Sequence, residues 1–240
     1  MPFVSSAEGT YGYGHPRQPV TQAAPATGGS LLFDGTTNGN LSIANDTDFQ
    51  NGTGDFTIEW FQYATTPGNS FPRIFSIGSY STQSIAVSQE GTDSSRTFYA
   101  WVSAANSMES VKVYTNTWIH FALCRSGTNL RVFKNGTQIG VTLVNSTNFN
   151  NTTSALRIGN ETTTSTGAAF KGYITNFRWT KGSALYTANF TKPATPLTAT
   201  ANTSLLLLAT TSGAATMDSS GKGKTITVGS GISWSSLTPF

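Results

Sequence analysis

Apolar residues recur at alternate positions in short runs, and clusters of Gly, Asn, Asp, Ser and Thr separate the runs. Phe56–Tyr63 shows the pattern most cleanly. Phe56, Ile58 and Trp60 fall on one face, and Thr57, Glu59 and Phe61 on the other. A period of two argues a half-buried strand. Similar runs predict strands at Ser30–Phe33, Leu41–Ile43, Arg73–Ile77, Ser84–Ser88, Thr97–Val102 and Ser110–Tyr114. Further strands are expected at Leu156–Gly159, Phe170–Trp179, Ser204–Ala209, Thr225–Val228 and Ile232–Ser235. Trp118–Arg125 is apolar on both faces, as in a central strand under cover. Asn129–Lys134 meets Asn135-Gly136, the strongest short hairpin signal, and Gln138–Thr142 returns. No window carries helical spacing. The pattern predicts an all-β sandwich or barrel.

Residues 1–28 break the pattern. Pro2, Pro16, Pro19 and Pro25, together with Gly9, Gly12, Gly14 and Gly28, prevent regular structure there. The segment nonetheless carries Phe3, Val4, Tyr11 and Tyr13. Either it is a floppy tail, or it is an extended arm that docks on its own domain or on a neighbour. The expected organisation is an arm over 1–28 and one sandwich over 29–240, closing strands included.

Composition narrows the partners. The chain has 240 residues, enough to bury a core without staples. Only 10% are charged and the net charge is +3. The basic residues are scattered, the longest cluster being Lys222-Gly223-Lys224, whereas a nucleic-acid binder concentrates them on one stripe. Nucleic acid is therefore not an expected partner. One cysteine, Cys124, excludes an intrachain disulfide and reads as a buried inert thiol. No run is long and apolar enough to span a membrane. The first twenty residues lack the basic and apolar regions of a secretory signal.

Four stretches resemble the concanavalin A-like lectin/glucanase superfamily, in its laminin G-like branch. They are SLLFDGTTNGNLSI (30–43), GDFTIEWFQY (54–63), WIHFALCRSGTNLRVFKNGTQIG (118–140) and LRIGNETTTSTGAAFKGYITNFRWTKGSALY (156–186). The resemblance implies a jelly roll of two antiparallel sheets, with residues 171–178 as a late strand closing the sandwich. Two further stretches, VSSAEGTYGYG near the start and FRWTKGSALYTANFTKPATPLTATANTSLLLLAT onward, resemble laminin G-like proteins of marine phages and large algal viruses. That likeness implies a virion component: a capsid decoration, fibre or host-attachment protein.

The superfamily includes glucanases, whose strand motif Glu-x-Asp-x-Glu aligns carboxylates on one face. Here the corresponding strand offers Glu59 alone, with Thr57 and Phe61 beside it. Glycoside hydrolysis generally needs two carboxylates across the scissile bond. No catalytic residues are assigned, and the chain is expected not to be an enzyme. His15 lies in the arm, and His120 reads as a packing residue that hydrogen-bonds backbone. Cys124 shares its strand face, about 13 Å away by strand rise, too far for proton transfer. Zinc would want a Cys/His cluster, which is missing. The laminin G-like resemblance suggests calcium at a rim loop, and Asp46 and Asp48 are the best local pair. Otherwise no cofactor is expected. Sugar binding needs aromatic faces and polar partners; Tyr80, Tyr99, Trp101 and Asn106 are candidates, against a reading of Trp101 and Tyr99 as ordinary packing.

The leading expectation is a non-catalytic structural, decoration or host-attachment protein of the virion surface, possessing glycan affinity. Its arm residues Phe3, Val4, Tyr11 and Tyr13 would bind virion neighbours or a second copy. The alternative is a free carbohydrate-binding or adhesion module at a microbial cell surface. An unusual glycosidase is the third reading.

Overall fold

The computed structural model describes residues 28–66, 68–78, 84–91, 95–103, 106–151, 153–161 and 165–240, with backbone alone for 95, 103, 106–111 and 114. Phe3, Val4, Tyr11, Tyr13 and Tyr80 lie outside the described residues.

In chain order the strands are β1 (Ser30–Asp34), β2 (Leu41–Ile43), β3 (Phe56–Ala64), β4 (Arg73–Ile77), β5 (Ile85–Glu90), β6 (Ser95–Ser103), β7 (Asn106–Tyr114) and β8 (Ile119–Ser126). Then follow β9 (Asn129–Lys134), β10 (Thr137–Val144), β11 (Leu156–Ile158), β12 (Lys171–Lys181), β13 (Thr203–Leu207), β14 (Ile226–Val228) and β15 (Ile232–Ser235). One short 3-10 turn, Thr47–Phe49, interrupts them; Asp46 caps it by accepting from the Asp48 amide.

Two antiparallel sheets result. The first runs β10-β9-β8-β3-β12-β1-β15, with β13 also paired to β12. The second runs β14-β2-β11-β4-β5-β6-β7. The sequence pattern finds every strand, and β8 is central as its two apolar faces demand. The strand over 171–178 differs from expectation. It does not close the sandwich but lies inside the first sheet, between β3 and β1. Closure falls to β14 and β15.

The inward faces meet in an aromatic core. Trp60 of β3 stacks on Phe121 at 5.6 Å and packs edge-on to Phe75 of the opposite sheet at the same distance. Phe75 also meets Trp179 of β12 at 5.9 Å. The buried indoles find acceptors: Trp60 Nε1 donates to Gln62 and Trp179 Nε1 to Asn51.

The outward face of the first sheet is covered by the irregular segment 182–202. Its Tyr186 and Phe190 stack at 3.6 Å and rest on Ala122, Cys124 and Phe133. The β9–β10 turn fixes this cover. Asn135 and Gly136 have φ of 50° and 83°. A Cβ on Gly136 would sit 2.0 Å from the Phe190 carbonyl oxygen, so glycine serves both the turn and the close approach.

Candidate functional site

A recess lies on the outward face of the second sheet. Strands β4, β5 and β6 lie side by side, pairing Arg73 with Ser88, Ser88 with Tyr99, and Ala86 with Trp101. Val87, Phe98 and Ala100 join the core. Alternation therefore turns Ser88, Glu90, Tyr99 and Trp101 outward. A β-bulge between Arg73 and Phe75 shifts the register, so Ile74 and Phe75 are both buried in the core while Arg73 meets the outward row.

The residues 165–168 wall the recess. Their backbone accepts from Phe71 N (Gly167, 3.0 Å) and Arg73 N (Ala168, 2.8 Å). The hollow holds about 350 Å³ and is lined by Phe71, Arg73, Glu90, Trp101, Glu161, Ser165, Gly167 and Ala168. Phe71 is 54% exposed. Arg73 holds its guanidinium carbon 5.8 Å from the Trp101 ring centre, and its Nε donates to Glu161 at 3.1 Å. Trp101 is fixed from two directions: Tyr99 stacks beside it at 5.7 Å, and its Nε1 donates to Ser88 Oγ at 2.8 Å. Ser88 Oγ is in turn 3.4 Å from Glu90 Oε1. Two half-open aromatic side chains thus share a concavity with carboxylates and a hydroxyl. Such a lining takes the C–H face of a sugar ring and accepts hydrogen bonds from its hydroxyls.

Of the sequence candidates, Tyr99 and Trp101 stand together here. Asn106 begins β7, opposite Ser103, and only its backbone is described. Phe71, Arg73, Glu90 and Glu161 were not singled out from sequence. Strand parity places Arg73 with Phe75 and Ile77 in the core, and the bulge that reverses it leaves no local signal.

Glu59 lies elsewhere, on the outward face of the first sheet beneath the 182–202 segment, and is fully buried. Arg178 Nε donates to its Oε1 at 2.9 Å, and Arg178 Nη2 to the same oxygen. Tyr186 Oη lies 3.0 Å and His120 Nε2 3.1 Å from Oε2. Burial alone would raise the carboxyl, but the His120 hydrogen bond and the Arg178 charge outweigh it and hold Glu59 below its ordinary range. Burial and the Glu59 charge push the Tyr186 hydroxyl up. His120 thus binds a carboxylate with its ring, where backbone was expected; only its main-chain N–H meets a loop side chain, Asn135. Burial raises the Cys124 thiol to about 12, in keeping with an inert group.

Asp46 and Asp48, the calcium candidates, both reach one cation. The cation between them is the Lys224 ammonium, 2.7 Å from each carboxylate and 5.7 Å from the Phe49 ring centre. The Asp48 amide and then Lys224 lower the Asp46 carboxyl. Among the described residues, no three His, Cys, Asp or Glu side chains gather at one point. No helix among them is long and apolar enough to cross a membrane.

A laminin G-type family model, described as the concanavalin A-like lectin/glucanases superfamily, matches residues 34–185. No curated protein matches in sequence. Many solved structures share the architecture, and three serve as examples. A putative carbohydrate binding protein from Bacteroides ovatus is 14% identical with a TM-score of 0.67, over 88% of this chain and 60% of that one. A native heptameric SAP-like pentraxin from Limulus polyphemus is 16% identical with a TM-score of 0.52, over 68% and 80%. The full extracellular region of zebrafish Gpr126/Adgrg6 is 14% identical with a TM-score of 0.55, over 91% and 27%. At these identities the likeness is one of fold.

Proposed function

Because the chain belongs to the concanavalin A-like lectin/glucanase superfamily, we propose that it is a non-catalytic glycan-binding module whose ligand seats in the recess around Trp101. The observation that carries this reading is the fixed indole of Trp101, held by Tyr99 and Ser88 beside the carboxylates of Glu90 and Glu161. An aromatic locked before the ligand arrives loses little rotamer freedom on binding. The carbohydrate-binding description of the Bacteroides ovatus structure agrees with it. Glu59 supports the non-catalytic part, because its oxygens are already engaged by Arg178, His120 and Tyr186.

The test is a glycan array probed with the full chain and with Trp101→Ala. Saturable binding lost in the variant, at unchanged thermal stability, supports the reading. Binding that survives Trp101→Ala places the ligand elsewhere.

A second part of the proposal is display on a virus particle, favoured by the resemblance of both ends to viral laminin G-like proteins. There, residues 2–28 would attach the sandwich to a neighbour or a second copy. Truncation of 2–28 should abolish incorporation into particles while leaving the sandwich folded. Normal incorporation of the truncated chain would end that idea.

A further inference from the structure

We propose that the recess selects uncharged glycans and turns away sulfated, sialylated or uronate-bearing ones. This rests on the reading of the recess as the glycan site and adds the class of ligand it takes.

Among the described residues, the lining contains the carboxylates of Glu90 and Glu161 and the guanidinium of Arg73. An anionic substituent would need the guanidinium, since paired N–H donors from arginine are what sulfate and carboxylate bind best. That guanidinium already has a carboxylate partner, and two of its five N–H donors are engaged. Nε donates to Glu161, Nη1 donates to the Phe71 carbonyl at 3.3 Å, and the Trp101 ring lies alongside. Arg73 is itself only 3% exposed. An entering anion would have to share this one guanidinium with Glu161 and sit beside its carboxylate. In a concavity partly shielded from water that repulsion is stronger than on an open surface.

A neutral sugar meets none of this. Its hydroxyls donate to carboxylate oxygens, which only accept. Its C–H face lies against Phe71 and Trp101. The Arg73–Glu161 pair stays intact and acts as a positioning device, keeping the Glu161 carboxylate and the Trp101 ring in fixed relation.

The experiment uses the full chain on an array of matched oligosaccharides, each neutral backbone printed beside its sulfated, sialylated and uronate-bearing forms. The best neutral hit and its sulfated form are then titrated by calorimetry at low and high salt. The sulfated form is expected to bind about tenfold more weakly or worse, with the gap narrowing as salt screens the repulsion. Glu161→Gln should narrow the same gap, because it removes a carboxylate and releases Arg73. If that variant fails to fold, the wild-type ratio and its salt dependence still decide. Equal or tighter binding of sulfated forms, lost in Trp101→Ala, would overturn the selectivity and keep the site. Binding indifferent to Trp101→Ala, or no binding to any glycan, would overturn both.

Discussion

Arg73 and Trp101 form one unit at the floor of the recess, with the guanidinium carbon 5.8 Å from the indole centre and Glu161 closing the far side. Trp101→Ala should remove most of the apolar contact a sugar could make. Burying such a ring face contributes about 1.5–3 kcal/mol, so the dissociation constant should rise at least about tenfold. Calorimetric titration of the best array hit measures this, and a change below twofold would count against the site.

Arg73→Lys should also weaken binding, although the charge is kept. Lysine cannot hold Glu161 with a planar N–H edge while lying along the indole. The expected loss is about threefold to tenfold, read in the same titration. Equal affinity would mean that the positioning is idle.

Glu59→Gln should be costly to the fold. It leaves Arg178 buried beside a neutral amide, and breaking a buried pair costs about 3–5 kcal/mol. For a chain of this size that lowers Tm by roughly 6–20 °C. Scanning calorimetry checks it; a shift under about 3 °C would show that the cluster is not a stabilising hub.

The same carboxylate sets an acid limit. Glu59 titrates lower in the folded chain than its ordinary 4.5. The unfolded chain therefore binds more protons in the acid range, and stability falls as pH falls. Its contribution is fully present above about pH 5 and disappears as the folded value is passed. Urea midpoints from pH 7 to pH 3 should fall steeply for the native chain and less for Glu59→Gln. Parallel curves would refute the assignment.

Lys224→Met should remove the ammonium that Asp46 and Asp48 share, leaving Lys181 as a weaker charge on Asp46. The carboxylates are partly open to solvent, which limits the cost to about 1 kcal/mol. Millimolar calcium should then raise the Tm of the variant by more than that of the native chain. Identical shifts would show that the ammonium does not hold a cation position.

The fold was readable because strand alternation and the Asn135-Gly136 turn are local. Phe56, Ile58 and Trp60 announce the core in five consecutive positions. The candidate site was readable only in part. Trp101 and Tyr99 could be singled out as aromatics in a loop-rich stretch, but Arg73 was hidden by the bulge beside it. Partnerships across long separations leave no mark in a window of residues. Glu59 meets Arg178 119 positions away, and Lys224 meets Asp46 178 positions away. Each charged residue taken alone looks like ordinary loop or strand decoration.

The consecutive strands β14 and β15 straddle the sandwich, β14 pairing with β2 of one sheet and β15 with β1 of the other. They work as a zip-fastener slider at a seam shared by both layers. A fragment trimmed to the matched residues 34–185 would lose both strands along with β13 and most of β1, baring β12 in one sheet and β2 in the other. Such a fragment would recruit strands from its fellows and precipitate. The folding unit is therefore wider than the stretch that betrays its ancestry.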